Sequence, residues 1–357
     1  MRILQLISDT DRRGAQVFAI QLADRLNTRG HEVTTEALVA GASAADVEAG
    51  VLSSDTKWRG AVSPLRKVGN SYDIVVAHGS STLPAVKAAR LKVPYVYRSI
   101  GDLTHWVDTR RKRFWVSKAL RSAAGVTALW PSVGQDIVHV FGVPKERVRV
   151  IPNASDPEDF TPITPEERSR SRQALGLDAD TFVVVSVGAL APEKRLDRLV
   201  HAVSRIDDAH LLIAGDGPSA DIVERRAAEL KAPVTLLGAV ARAQEVMAAG
   251  DVFAMCSETE GQPGVLIEAG LRGLPLVSTD VGGVRQIVRP RETGFLIKPD
   301  ESGLIDRIAG ALEKSRTEGP ALGRNARELC ASTFSLDRVA TQWENFLTEI
   351  VAARGSG

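Results

Sequence analysis

Residues 251–283 constrain this chain more than any other stretch. They open with DVFAM, an apolar run that suits a strand buried on both faces of a sheet. A loop follows and ends in Gly261-Gln262-Pro263-Gly264. Pro263 has the fixed φ and missing N–H that suit a first helical position. Residues 265–272 are good helix formers, and Gly273 is a natural stop. Residues 274–278 (LPLVS) make a second short strand, closed by Gly282-Gly283. Strand, loop, helix and strand in this order are one unit of an α/β sheet.

The amides of the first helical turn, on Gly264, Val265 and Leu266, would point out of the carboxyl end of that sheet. A helix N-terminus there attracts anions. Glu268 lies one turn further along the same face. Glu260 lies in the loop before it. A ligand with a diphosphate on the amides would bring a ribose to Glu268 and a further group to Glu260. A lone glutamate near a helix start is ordinarily a surface residue that complements the dipole. The reading rests on the constellation rather than on either residue.

Residues 257–283, SETEGQPGVLIEAGLRGLPLVSTDVGG, resemble the E-x7-E signature of retaining nucleotide-sugar glycosyltransferases of family 4. Residues 188–195 (GALAPEKR) are similar to that family's Gly-Arg-Leu-x-x-Glu-Lys-Gly. Lys194 matches its diphosphate-binding lysine; Ala189 replaces the usual arginine and Arg195 the final glycine. Arg195 is therefore expected to supply the missing charge. The resemblance also implies donor contacts at Gly14, Gly188 and Gly238, the last beside the nucleotide base. It makes Glu260 the residue that touches the donor sugar. Where many relatives carry a cleft histidine, this chain has Arg98 and Asp102, which join Glu260 as candidate catalytic residues. A cation is needed because a departing nucleoside diphosphate gains negative charge, and without a metal only fixed dipoles and side chains can stabilise it.

Read in order, residues 2–8 form a strand, residues 15–29 a helix with apolar residues at helical spacing, and residues 31–33 open the next strand. The loop between strand and helix, DTDRRG, carries Arg13-Gly14 where the resembled family has two glycines. Its Asp9-Thr10-Asp11 is nominally a metal-binding D-x-D, but beside Arg12 and Arg13 it reads as a charge-mixed loop, and no metal is assigned. Further strands are expected at 73–77, 94–98, 148–152, 181–187, 210–214, 234–237 and 294–297, and a final amphipathic helix at 334–353. His78 and His105, near strand ends, are read as structural. Residues 153–156 resemble the family's Asn-Gly-Val-Asp segment, and the proline- and charge-rich stretch after it reads as a linker.

The expected architecture is α/β: two Rossmann-like domains facing across a cleft, the GT-B arrangement. The first is residues 1–157, with the helix 334–353 packing back on it. The second, residues 158–333, binds the nucleotide sugar. A length of 357 residues and a hydrophobic content of 44% suit two full cores. The net charge of +1 gives no global pull toward nucleic acid or membrane. Cys256 and Cys330 suit a reducing compartment, and MRILQLISDT is too short and too soon polar for a signal peptide, so a cytoplasmic location is expected.

Residues 105–121 are the local exception, with six cations against Asp108 and with Trp106, Phe114 and Trp115 interleaved. This segment reads either as a solvated helix or as a patch for an acidic acceptor or anionic lipid headgroups at the inner membrane face. No nucleic-acid module is present.

The function the resemblance implies is retaining, metal-independent sugar transfer from a nucleotide-diphosphate sugar, UDP- or GDP-linked, with no other cofactor. The acceptor would be a sugar or lipid-linked hydroxyl in cell-surface polysaccharide or glycolipid assembly. A nucleotide-sugar epimerase of the same architecture, a glycogen-type glucosyltransferase and a non-catalytic nucleotide-sugar-binding subunit stay open as alternatives.

Overall fold

The computed structural model describes residues 1–42, 46–299 and 302–355. The chain divides into two compact units. One is Met1–Ala154 with the segment from Leu336 onward; the other is Ser155–Ser335.

Among the described residues the first unit carries seven strands: β1 (Arg2–Ile7), β2 (Glu32–Val39), β3 (Gly50–Ser53), β4 (Ile74–His78), β5 (Tyr95–Arg98), β6 (Gly125–Ala128) and β7 (Val148–Val150). They pair in parallel in the order β3-β2-β1-β4-β5-β6-β7. The second unit carries six: β8 (Phe182–Val187), β9 (Ala209–Ala214), β10 (Val234–Leu236), β11 (Val252–Met255), β12 (Leu276–Thr279) and β13 (Gly294–Ile297). Their order is β10-β9-β8-β11-β12-β13, again all parallel.

Near-continuous apolar strands explain the parallel pairing, because a parallel sheet must be covered on both faces. Alternate residues serve two cores. Leu4, Leu6, Val75 and Ala77 face one side of the first sheet; Ile3, Ile74 and Val76 face the other. Val183 and Val185 part from Phe182 and Val184 in the second sheet in the same way. The Leu336–Gly355 helix closes the first unit. Its Val339, Trp343 and Leu347 pack on Ile3, Phe18, Leu22 and Leu26. Arg25 reaches Asp337 at 2.7 Å and His31 reaches Glu344 at 2.9 Å.

Both sheets reverse strand order at their first strand, between β1 and β4 and between β8 and β11. Loops at the carboxyl ends flanking such a reversal open a crevice suited to ligands. The loops after β8 and β11 are the ones that hold Lys194 and Glu260.

Local differences from the sequence expectations have physical causes. The expected helix at 265–272 runs from Gly264 to Leu271. Pro263 stands just before it as the capping residue, with φ −71° and ψ 117°, and its carbonyl accepts from the Leu266 N–H at 3.2 Å. The basic segment is two helices, Leu103–Trp106 and Arg110–Leu120. The break falls where Thr109 turns extended and its hydroxyl accepts from the Lys112 N–H, an N-cap that starts a new helix. Strands β3 and β6 and the Leu304–Thr333 helix carry no mark that the sequence reading used.

Candidate functional site

In the second unit the chain leaves β8 at Gly188, passes a short 3-10 turn at Pro192–Lys194 and enters the Leu196–Val203 helix. Lys194 Nζ lies 2.6 Å from Glu260 Oε1. The Ser257 hydroxyl donates to the same oxygen at 2.6 Å. The Glu260 side chain is 8% exposed, while that of Lys194 is 27% exposed. The pair is thus a half-shielded ion pair with the carboxylate inside and the cation at the rim.

The loop that carries Glu260 is held from a third side. Gly283 N–H donates to the Gly261 carbonyl at 2.6 Å, and Thr279 donates to the Ser257 carbonyl at 2.6 Å. Gly282 sits at φ +54° so close to this loop that a Cβ on it would overlap the Glu260 carbonyl oxygen. The loops after β8, β11 and β12 therefore converge on one carboxylate.

The Gly264–Leu271 helix begins beside it. The Glu268 carboxylate lies 3.8 Å from where a Cβ on Gly264 would stand, on the face of the first turn expected from the spacing. Gly264 and Val265 are half-buried. Leu266 is fully buried and its N–H already donates to Pro263, which removes it from the expected anion-binding amides. The proline cap that starts the helix is the reason.

Gly188, Gly215 and Gly238 end three neighbouring strands. Gly188 N–H donates to the Ala214 carbonyl and Gly215 N–H to the Gly238 carbonyl. A Cβ on Gly188 or Gly238 would meet open space; one on Gly215 would overlap the Gly188 carbonyl oxygen. Gly215 is thus a supporting residue outside the expected donor contacts, since a Gly-Asp-Gly turn alone is weak evidence. Its signal lies in the alignment of three strand-terminal glycines.

Arg195 does not stand as a spare cation. Its guanidinium forks onto Asp197 with two contacts of 2.9 Å and also pairs with Glu258, and these bonds hold its pKa above the ordinary arginine value. The charge expected for a phosphate is neutralised by two carboxylates.

In the first unit, Gly14 is the first residue of the Gly14–Thr28 helix, and a Cβ there would meet nothing within 4 Å. Asp9 and Asp11 are occupied locally. Arg13 and Gln16 bond Asp9 at 2.6 and 3.0 Å, and the Ala42 N–H bonds Asp11 at 2.7 Å. Asp102 caps the Leu103–Trp106 helix, accepting from the Thr104 N–H at 2.8 Å and its hydroxyl at 2.6 Å.

Arg98 is 1% exposed. Its guanidinium lies 4.0 Å from the Phe18 ring centroid, donates to Asn153 and approaches His78 Nδ1 at 3.4 Å. Arg98 and Asp102 therefore have structural partners where the sequence reading expected catalytic ones. Capping chemistry and full burial account for this.

His78 is buried against Trp343 at 6.3 Å, and burial together with the Arg98 cation holds its imidazole well below the ordinary histidine value. The folded protein then binds fewer protons here than the unfolded chain. Stability present above about pH 6.5 is lost as pH falls toward the folded pKa, at most by about 1.4 kcal/mol per pH unit. Urea unfolding across mildly acid pH should show that slope, and His78→Gln should flatten it. Equal slopes in both proteins would acquit His78.

Two family models match successive parts of the chain. Glycosyltransferase Family 4 covers residues 12–159, and Glycosyl transferases group 1 covers residues 181–314. The chain belongs to the group 1 glycosyltransferases. Among curated relatives of this group 1 glycosyltransferase, the sulfoquinovosyl transferase SQD2 of Arabidopsis thaliana is 29% identical over 224 residues, 61% of this chain and 43% of that protein. The GDP-mannose-dependent alpha-(1-6)-phosphatidylinositol monomannoside mannosyltransferase of Mycobacterium tuberculosis is 29% identical over 329 residues, 84% of this chain and 77% of that protein. The chain spans about half the length of the first curated relatives it matches, namely 43%, 55% and 39%. Anabaena Alr3699/HepE, solved in complex with UDP, matches with a TM-score of 0.83 at 23% identity, over 98% of this chain and 100% of that one. It has also been solved with UDP-glucose. That likeness establishes a GT-B fold.

Proposed function

We propose that this protein is a retaining, metal-independent glycosyltransferase. It moves a sugar from a nucleoside-diphosphate sugar to a hydroxyl of a saccharide or lipid-linked acceptor. The observation that carries the reading is the Lys194–Glu260 pair at the entrance of the helix that presents Gly264, Val265 and Glu268. In this reading Glu260 and Glu268 are the E-x7-E pair. The diphosphate lies on the Gly264 and Val265 amides beside Lys194, Glu268 binds the ribose and Glu260 meets the sugar.

As the bond from the anomeric carbon to the phosphate oxygen breaks, its electron pair leaves with the diphosphate. Lys194 and the helix dipole stabilise that charge, so no metal or other cofactor is required. The acceptor oxygen attacks from the same face and its proton passes to the leaving phosphate, which dispenses with a protein nucleophile. The lipid acceptor is supported by the mannosyltransferase relative, whose name specifies a phosphatidylinositol monomannoside. That relative is GDP-mannose-dependent, whereas the Anabaena neighbour is bound to UDP.

A thermal-shift series with UDP, GDP and ADP, each with and without Mg²⁺, tests the reading. A ligand that binds only the folded state adds about 2.7 kcal/mol at a hundredfold excess over its Kd. A shift with one nucleotide that is independent of Mg²⁺ is expected. A shift that requires Mg²⁺ would end the metal-independent mechanism, and no shift with any of the three would end the donor assignment.

A further inference from the structure

The Arg110–Leu120 helix is anchored only by its second half. Ser117, Ala119 and Leu120 are buried and Val116 partly so, while residues 110–115 are exposed on every side. A helical stretch that buries no stripe ordinarily carries polar side chains. This one carries Phe114 and Trp115, each 57% exposed and packed edge to face at 5.6 Å. Trp106, on the short helix before it, is 64% exposed. Arg110, Arg111, Lys112 and Arg113 share the surface, and the nearby Asp108 is already paired with Lys112 at 2.9 Å.

Trp115 also belongs to a second feature. A cavity of about 510 Å³ is lined by Arg66, Lys87, Arg90, Trp115, Lys118 and two alanines, with no carboxylate in its wall. Lys118 Nζ sits 5.6 Å from the Trp115 ring centroid, so cation and indole face the same space. Arg66 donates to the Ala89 carbonyl at 2.7 Å and to the Ala88 carbonyl at 3.4 Å, which fixes its guanidinium at the wall.

A concave wall of four cations calls for a phosphate-sized anion. Exposed indole and phenyl rings beside it call for the boundary between headgroups and acyl chains, where amphipathic aromatics reside. Among the described residues no helix is long and apolar enough to cross a membrane. We propose that this face docks on an anionic phospholipid bilayer. Trp106, Phe114 and Trp115 enter the interface, and the recess of Arg66, Lys87, Arg90 and Lys118 holds a headgroup phosphate. Every residue involved lies in the first unit, so the proposal stands apart from the donor-site reading in the second. A Glu260→Gln protein should bind bilayers like the wild type even if that reading fails.

The full chain is pelleted with sucrose-loaded vesicles of phosphatidylcholine alone, or mixed with phosphatidylglycerol, at low and high salt. Binding to the mixed vesicles only, weakened by salt and accompanied by a blue shift of tryptophan emission, is expected. Each cation close to an anionic surface contributes about fivefold in partitioning, so Lys87→Ala with Lys118→Ala should weaken binding about twentyfold or more. Phe114→Ser with Trp115→Ser should reduce binding and blue shift while leaving the unfolding curve in place, since both rings are already half in water.

Equal pelleting with neutral vesicles, or none with either, overturns the proposal. So does a melting-temperature shift with inorganic phosphate, beyond a chloride control of equal ionic strength, in a protein that does not pellet with the mixed vesicles, which would assign the recess to a free phosphate. Tighter binding to duplex DNA than to the mixed vesicles would assign the face to nucleic acid and likewise overturn it.

Discussion

Lys194→Met is expected to lower kcat/KM for the nucleotide-sugar donor by about a hundredfold to a thousandfold, the range for losing one preorganised charge at a developing anion. The same change should cost stability. Glu260 is 8% exposed and would keep the Ser257 hydroxyl but lose its 2.6 Å cation. Breaking a buried pair by removing one partner costs several kcal/mol, and the exposure of Lys194 to solvent brings that down to about 1–2 kcal/mol.

The two effects separate in a double variant. Lys194→Met with Glu260→Gln removes the stranded carboxylate, so the melting temperature should recover while turnover stays low. If the double variant recovers both, the pair is a structural ion pair and nothing more. If Lys194→Met turns over like the wild type, the diphosphate contact assigned to Lys194 is wrong.

Gly282→Ala is expected to be strongly damaging although it adds only one methyl beside the site. Its φ of +54° is unfavourable for alanine, and its Cβ would overlap the Glu260 carbonyl oxygen and come within 2.8 Å of the Gly261 carbonyl oxygen. Strained conformation and steric overlap with backbone together should cost about 3 kcal/mol or more. In a unit of this size that lowers Tm by roughly 10 °C. Any protein that folds should carry a displaced Glu260 and show reduced turnover.

Gly273→Ala is the control. Its φ of +82° is just as unfavourable, but a Cβ there meets nothing within 4 Å. It should cost about 1 kcal/mol and spare turnover. Equal losses in the two variants would show that backbone conformation alone is at work and that the contact with the Glu260 loop is irrelevant.

How far the site was legible follows from the range of the physics involved. The helix that presents Gly264 and Glu268 could be read from its own residues, because a proline entry, helix-forming interior and glycine exit act within one or two turns. Even there the boundary moved by one residue, since the position of a cap depends on which carbonyl the first amides find. Lys194 and Glu260 could each be singled out, but their contact joins residues 66 positions apart and depends on the parallel pairing of β8 with β11. Arg195 is a case of the same kind: whether its cation is available depends on Glu258, 63 positions away. For Arg98 and Asp102 the linear sequence offers only their place after a strand. That Arg98 lies against Phe18 and Asp102 caps a helix is visible only in the folded chain.

The sequence by itself determined that this chain forms alternating strands and helices in two halves and which family it resembles. Period, turn chemistry and capping are local, and a few dozen residues suffice to encode them. Only the tertiary structure decided which charges are paired, which glycines touch a distant backbone and which aromatics have no core to enter. Burial and ion pairing depend on neighbours that the folded sheets bring together, and the linear order of residues does not contain those distances.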